Sequence, residues 1–380
     1  MKELEAELQT IKSQGLYRSL KTSSGRCVCS NDYLGLARDE RIRAAIVDAL
    51  ESGVPHGSTG SRLLAGHHAE FDALERAFAQ WQGSEAALFF GSGYAANLGL
   101  LTALLDSDSL VLSDELNHAS LIDGLRLTKA PRKVIPHLDL SAYEHALSEG
   151  RRGQSYVVVE SLYGMDGDIA PLRELADLCR KYKARLIVDE AHATGLFGRA
   201  GAGLVSQLGV RDAVFASVHT CGKALGHMGA FICGSADLKS FLINRSRSFI
   251  FSTALPPFMA VGLLKAIEII ASDEELRSRP AKLGARLRKR LEGRVDTGMS
   301  ASQIVPLIVG EGALALSLAK QLAQRGWDAR AIRPPTVPEG TCRIRLALHN
   351  GISDEELEQL GSDILIALEL QEGREDEFIT

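Results

Sequence analysis

The sequence predicts an α/β fold, with a large domain built on a mostly parallel sheet covered by helices and a smaller C-terminal α+β domain. Between 86 and 189, short apolar runs alternate with amphipathic helical stretches, as expected for parallel strands buried on both faces. Several runs end in glycine or polar residues, at Gly93, His118, 164–166 and Asp189, and ligands of such sheets sit at the carboxyl ends of the strands. Beyond 255 the pattern changes to long helical stretches and then a strand and helix alternation. These features place an N-terminal helix and small strand in 1–44, a large domain in 45–255 and a small domain in 256–380. With 380 residues, 45% of them hydrophobic, the chain can bury a sizeable core.

Taken in order, Leu4, Leu8, Ile11 and Leu16 recur near helical spacing, predicting a short helix packed on the body or on a second subunit. A strand over 27–30 and a turn over 31–36 precede helix 40–52. The loop 56–62, HGSTGSR, is too rich in glycine and hydroxyls for an element interior and is read as a functional loop. Helix 69–82 presents Phe71, Leu74, Ala77 and Phe78 on one face, and strand 86–90 runs into the turn Gly91-Ser92-Gly93 and helix 95–105. A strand, a glycine turn and a helix start together offer an anion site, because free N–H groups and the helix dipole converge there. Strands at 109–113, 133–136, 155–160 and 185–189 then alternate with helices at 119–127, 141–148 and 171–182. Strands 212–217 and 229–233 follow as neighbours, and helices are expected at 236–248, 255–271 and 273–293. The remainder reads as strand 303–309, helix 312–325, strand 329–332, strand 341–347, helix 353–369 and a polar tail near 374–377. On strand 341–347, Arg343 and Arg345 share a face and either meet solvent or clamp a substrate carboxylate.

Net charge is −5, with no long block of one sign, so nothing favours nucleic acid or a membrane surface as partner. The N-terminus lacks the pattern of a signal peptide, and no apolar run is long enough to span a bilayer, so a cytoplasmic location is expected. The six cysteines form no CxxC pair and lack a histidine at zinc spacing, which predicts reduced thiols and no metal.

The chemistry concentrates in 186–226. A buried-looking strand ends in Asp189, His192 follows three residues later, and Lys223 lies between Gly222 and Gly226. Pyridoxal phosphate needs such groups: a lysine for the Schiff base and an acid to keep the pyridine nitrogen protonated. VDEAH also looks like a helicase acidic box, but that reading requires a phosphate loop GxxxxGK[ST], and Gly222-Lys223 is followed by Ala224.

Seven ordered motifs add a resemblance. NDYLGLA at 31–37, GSTGSRLLAGHHAEFDALE at 57–75, FGSGYAAN at 90–97, DELNHASLIDG at 114–124, MDGDIAPL at 165–172, VDEAHATG at 188–195 and TCGKALG at 220–226 resemble the α-oxoamine synthases. These are pyridoxal-phosphate enzymes of fold type I that condense an amino acid with an acyl thioester. RPPTVPEGTCRIRLAL at 333–348 and GKALGHMGAF at 222–231 most resemble the branch that joins L-alanine to a pimeloyl thioester, carried on CoA or an acyl carrier protein (ACP), in biotin synthesis.

The resemblance implies that Lys223 forms the Schiff base and moves the Cα proton, Asp189 pairs with the pyridine nitrogen and His192 bonds the ring hydroxyl. It implies that His118 stacks on the ring, Gly93 and Tyr94 lie at the cofactor, and Thr220 lies near the phosphate. Arg345 would clamp the amino-acid carboxylate, and Arg18, Asn31 and Thr336 would contact substrate. Ser252 and Thr253 would reach the phosphate of a neighbouring subunit, making a homodimer with a shared site. The family usually carries serine where this chain has Gly164, so a hydroxyl contact is missing there or is replaced by a neighbour such as Ser161 or by water. Alternatives are a sister synthase such as glycine C-acetyltransferase and an aminotransferase of the same fold.

Overall fold

The computed structural model describes residues 2–20, 22–150 and 153–377. Its strands are β1 (Arg26–Cys27), β2 (Ala86–Phe90), β3 (Leu110–Asp114), β4 (Arg132–Ile135), β5 (Ser155–Glu160), β6 (Arg185–Asp189), β7 (Val214–Thr220), β8 (Ala230–Gly234), β9 (Ile304–Gly310), β10 (Trp327–Asp328), β11 (Ala331–Ile332) and β12 (Cys342–Ala347). The chain divides into two compact units. The larger holds Asn31–Gly164 and Asp168–Pro280, and the smaller holds Met1–Ser30, Met165–Gly167 and Ala281–Thr380.

The larger unit is organised by a seven-stranded sheet of order β2-β8-β7-β6-β5-β3-β4. Only β8 runs against its neighbours, so the sheet is mostly parallel, as the apolar runs predict. Val157, Val158, Ile187, Val188, Ala216 and Val218 are fully buried, because a strand covered on both faces can alternate nothing outward. Helices Gly93–Leu104 and Ala119–Arg126 pack on one another and supply Leu100, Leu101, Leu121 and Leu125 to the core. Because β2, β3, β5, β6 and β7 run the same way, their carboxyl ends lie along one edge.

The domain boundaries differ from those expected. Helix Phe258–Ser272 packs on helices Glu40–Glu51 and Ala69–Gln82, so 256–280 belongs to the larger unit rather than to a C-terminal domain starting at 256. The N-terminal segment 1–44 is divided as well. β1 adds in parallel to β10, which fixes the first thirty residues in the smaller unit, while the residues from Asn31 join the larger. The first helix, Lys2–Ser13, leaves Leu4 and Leu8 exposed and Ile11 half-buried.

In the smaller unit β11, β12 and β9 form an antiparallel sheet over a core that includes Leu283, Leu287, Leu318, Trp327 and Leu360. The predicted strand 329–332 is shorter, Ala331–Ile332, and a separate strand in another sheet, Trp327–Asp328, precedes it; the last helix runs from Asp354 to Glu377, through the stretch read as a polar tail.

The loop 56–62, read as functional, serves a structural purpose. Arg62 pairs with buried Glu75, which also takes Lys239 Nζ at 2.7 Å and Phe89 N at 2.9 Å. Ser58 Oγ bonds Leu255 O at 2.9 Å and Ala254 N bonds Gly60 O at 2.9 Å, so the loop anchors the segment after Thr253.

A buried ion cluster joins the ends of β3 and β4. His137 Nδ1 meets Asp114 Oδ1 at 2.8 Å and Nε2 meets Asp168 Oδ2 at 2.6 Å. Burial alone would push the imidazolium down, but the two carboxylates outweigh it and raise the group from 6.5 to about 10. Below pH 6.5 the folded and unfolded chains are both protonated, and the cluster contributes fully. As pH rises from 6.5 toward about 10 the unfolded chain loses the proton first, so this stabilisation is lost. Urea midpoints taken across that window are expected to fall, and His137→Gln is expected to flatten the slope; an unchanged slope in the variant would remove His137 as its source.

Candidate active site

The carboxyl ends of the parallel strands deliver the predicted chemistry to one cavity. Gly93, Tyr94, Asn97, His118, Ser120, Glu160, Asp189, Ala191, His192, Thr220 and Lys223 line a space of about 520 Å³ within the larger unit. Helix Gly93–Leu104 starts here, with Ser92 Oγ capping Ala95 N at 3.1 Å, so its first N–H groups open toward the cavity rim. A Cβ at position 93 would stand 2.5 Å from Thr220 Cγ2, so glycine is needed for that close approach.

Asp189 is buried at the end of β6 and held on both oxygens. Oδ2 accepts from Asn97 Nδ2 at 2.8 Å and Oδ1 accepts from Ala191 N at 2.9 Å. Across the cavity Lys223 Nζ lies 3.4 Å from Thr220 Oγ1, and Thr220 in turn lies at the end of β7. His118 caps the helix Ala119–Arg126 through Nδ1, which meets Ser120 N at 3.2 Å and Ser120 Oγ at 2.7 Å. Burial holds its pKa below the ordinary histidine value, opposed by Asp189 and assisted by Lys223, so the ring is neutral at pH 7.

His192 Nδ1 meets the hydroxyl of Tyr33 at 2.7 Å, and Tyr33 also donates to Asn31 Oδ1 at 3.2 Å. A Cβ at Gly164 would stand 2.3 Å from His192 Nε2. The missing serine hydroxyl is therefore matched by an imidazole that occupies its space. Ser161 does not replace it, since that hydroxyl is fully buried and does not line the cavity. Gly164→Ser is expected to displace His192 from Tyr33 and weaken cofactor binding several-fold, the cost of about one hydrogen bond. Titrating the stripped protein with cofactor measures this, and an unchanged Kd would show that His192 yields freely.

Asn97 and Glu160 in the cavity, and Tyr33 bonded to His192 beside it, are among the groups that escaped the sequence reading. Asn97 holds Asp189 and Ser120 Oγ, and its own Oδ1 is buried with no hydrogen-bond partner. It lies one helical turn after Gly93, a spacing that could have flagged it. Glu160 ends β5 in register with Asp189 at the end of β6 and accepts a hydrogen bond from His118 N at 2.6 Å. Burial, then the Asp189 charge, pushes its carboxyl up to about 8. An acid closing a buried strand was the readable signal there. Tyr33 is fully buried.

The other predicted residues lie elsewhere. Ser252 and Thr253 are exposed and line a separate cavity with Gly91, Arg62 and Phe249, away from Lys223. In the smaller unit Arg18 Nη2 bonds Thr336 Oγ1 at 3.2 Å, and both line a cavity of about 430 Å³ with Leu16 and Arg333. Arg343 and Arg345 are 5% and 6% exposed, so neither meets solvent. Arg343 is engaged by Asp166 and by Thr341 O at 2.9 Å.

The cavity suits pyridoxal phosphate. It combines a buried acid fixed by two donors, a primary amine, an imidazole on its wall, a small-residue approach at Gly93 and an orphaned amide oxygen on Asn97. Comparison with known proteins points the same way. Residues 28–364 match the family described as aminotransferase class I and II. The chain is 46% identical to the 8-amino-7-oxononanoate synthase of Anaeromyxobacter dehalogenans strain 2CP-1, over 90% of this chain and 89% of that one. It is 42% identical to the protein of that name from Geobacter sulfurreducens, over 94% and 95%. Among solved structures, serine palmitoyltransferase of Sphingomonas wittichii superposes with a TM-score of 0.89 at 29% identity over 96% of each chain. The 8-amino-7-oxononanoate synthase of Francisella tularensis superposes with a TM-score of 0.79 at 25% identity, over 92% of this chain and 99% of that one.

Proposed function

Since the chain belongs to the aminotransferase class I and II family and, within it, to the 8-amino-7-oxononanoate synthases, we infer that it is a pyridoxal-phosphate-dependent acyltransferase of biotin synthesis. It condenses L-alanine with a pimeloyl thioester to give 8-amino-7-oxononanoate, carbon dioxide and free thiol. The observation that carries this reading is the near-full-length identity to synthases of that activity.

Pyridoxal phosphate, when bound, supplies an electron sink that stabilises negative charge at the amino-acid Cα. The chain's residues do the rest. Lys223 Nζ would hold the cofactor covalently and would take and return the Cα proton of the amino acid. Asp189, pinned by Asn97 and Ala191 N, keeps a proton on the ring nitrogen, a preorganised charge that needs no rearrangement during reaction. His118, held by Ser120, would lie against the ring, and His192, held by Tyr33, would meet the ring hydroxyl. Gly93, Tyr94 and Thr220 border the cofactor, while Arg18, Asn31, Thr336 and Arg345 receive substrate.

The working unit is a homodimer in the cytoplasm, with Ser252 and Thr253 of each chain serving the phosphate in the other. Their exposure, and their distance from the Lys223 cavity lining, support this. Among the described residues no helix is long and apolar enough to cross a membrane.

Incubation with L-alanine and pimeloyl-CoA is expected to release thiol and 8-amino-7-oxononanoate in equal amounts, read by product mass. Turnover only with glycine and acetyl-CoA, or only with L-serine and palmitoyl-CoA, would move the chain to a sister activity. Amino transfer without thiol release would make it an aminotransferase.

A further inference from the structure

A pair of thiols lies in the smaller unit, with no part in the proposed reaction. Cys27 Sγ and Cys29 Sγ are 3.7 Å apart, flanking fully buried Val28, where the chain bends just past the end of β1. The backbone beneath them is pinned. Arg26 N donates to Gly326 O at 2.8 Å, Val28 N to Asp328 O at 3.2 Å, Ala347 N to Val28 O at 2.8 Å, and His349 Nε2 meets Cys27 O at 2.7 Å. Both thiols are half-buried, whereas Cys179, Cys221, Cys233 and Cys342 are buried and unpaired with one another.

Asp328 is the third group of the cluster, and a soft metal ion is the obvious competing occupant. The carboxylate is already taken. Arg330 Nε meets Oδ1 at 2.6 Å, Arg330 Nη2 meets Oδ2 at 3.0 Å, and Ser23 Oγ donates to Oδ2 at 2.7 Å. A cation would have to displace a bidentate guanidinium, which leaves the two thiols as the ready ligands of this cluster among the described residues.

We propose that Cys27 and Cys29 form a reversible dithiol–disulfide site that exchanges with low-molecular-weight disulfides. The Cys27 thiolate attacks one sulfur of the small disulfide, forming a mixed disulfide and expelling one thiolate, which takes up a proton. Cys29 then gives up its proton, and its sulfur displaces the second small thiolate from Cys27. Two protein thiols are oxidised by two electrons and one small disulfide is reduced to two thiols. Closing the bond requires the sulfurs to approach from 3.7 Å to about 2.05 Å.

The roles are unequal. Hydrogen bonding from the Cys29 thiol, opposed by burial, lowers the Cys27 pKa from 9.0 to about 5, while the same bond and burial raise that of Cys29. Cys27 is thus the attacking sulfur and Cys29 the resolving one.

The test equilibrates the cofactor-loaded enzyme with mixtures of oxidised and reduced glutathione, quenches with acid, denatures, alkylates and weighs the peptides. The peptide bearing both cysteines is expected to become lighter by two hydrogens and unreactive to alkylation, and to revert on reduction, while the other four cysteines stay labelled. Cys29→Ser is expected to stop at a glutathione adduct on Cys27. Alkylation of Cys27 is expected to change little between pH 6 and 8, where an ordinary thiol speeds up by about tenfold per unit. Full alkylation at both positions in every mixture, or a stable adduct on Cys27 in the unmodified sequence, would overturn the proposal. So would stoichiometric zinc uptake that blocks alkylation, which would make the cluster a metal site.

Discussion

Lys223→Ala is expected to lower turnover with L-alanine and pimeloyl-CoA by about ten-thousand-fold or more, the scale seen when a group acting as a covalent and proton-transfer centre is removed. The loss should fall on kcat rather than on KM for the thioester, since the amine faces Thr220 inside the cavity lined by His118 and Asp189. Stability should change little, because the lysine lies on the cavity wall and the turn around it is held by backbone bonds. Cys221 N bonds Gly229 O at 2.9 Å, His227 N bonds Cys221 O at 2.8 Å, and Gly226 N bonds Lys223 O at 2.9 Å. Borohydride treatment provides a second readout: the unmodified enzyme should retain cofactor covalently on the peptide containing residue 223, and the variant should not. Turnover within a hundredfold of the unmodified enzyme would displace Lys223 from its role.

The same backbone economy explains what the sequence made readable. Asp189, His192 and Lys223 stand at or just after the ends of buried strands, where an apolar run stops and a polar residue must face the strand edge. Such positions announce themselves in one dimension. Asn97 does not, because its meaning depends on a helix face meeting β6 in space, and Tyr33 depends on a turn folding back to His192. The helix Phe258–Ser272 was misplaced for a similar reason: its apolar face says that it is covered, not by which unit. The predicted strand 329–332 is cut back to Ala331–Ile332 beside the pairing of Asp328 with Arg330, a contact invisible to periodicity. Gly164 was legible only as a missing hydroxyl; its cause is the position of His192 Nε2.

Asp189→Asn is expected to fold normally and to lose about a hundred- to a thousand-fold in kcat, the usual effect of removing one preorganised electrostatic partner. The fold should tolerate it for a reason visible at Asn97. In the native site Asn97 Nδ2 donates to Asp189, and Asn97 Oδ1 has no partner. A new amide at 189 can present its oxygen to Ala191 N and its NH2 to Asn97 Oδ1 once the Asn97 amide turns over, and the Ser120 hydroxyl can rotate to donate. The turned-over Asn97 amide then leaves its NH2 where Oδ1 had no partner, so the melting temperature should fall by the equivalent of one unsatisfied buried donor, about 1–3 kcal/mol. What is lost is the negative charge. An uncharged amide cannot keep the ring nitrogen protonated, so carbanion stabilisation fails while cofactor attachment to Lys223 survives. The carboxyl of Glu160 provides an independent check. Burial is the larger cause of its rise to about 8, but the Asp189 charge adds to it, so the variant should titrate Glu160 at lower pH. An Asp189→Asn enzyme with kcat within tenfold of the original would separate this aspartate from the ring nitrogen, whatever the titration of Glu160 showed.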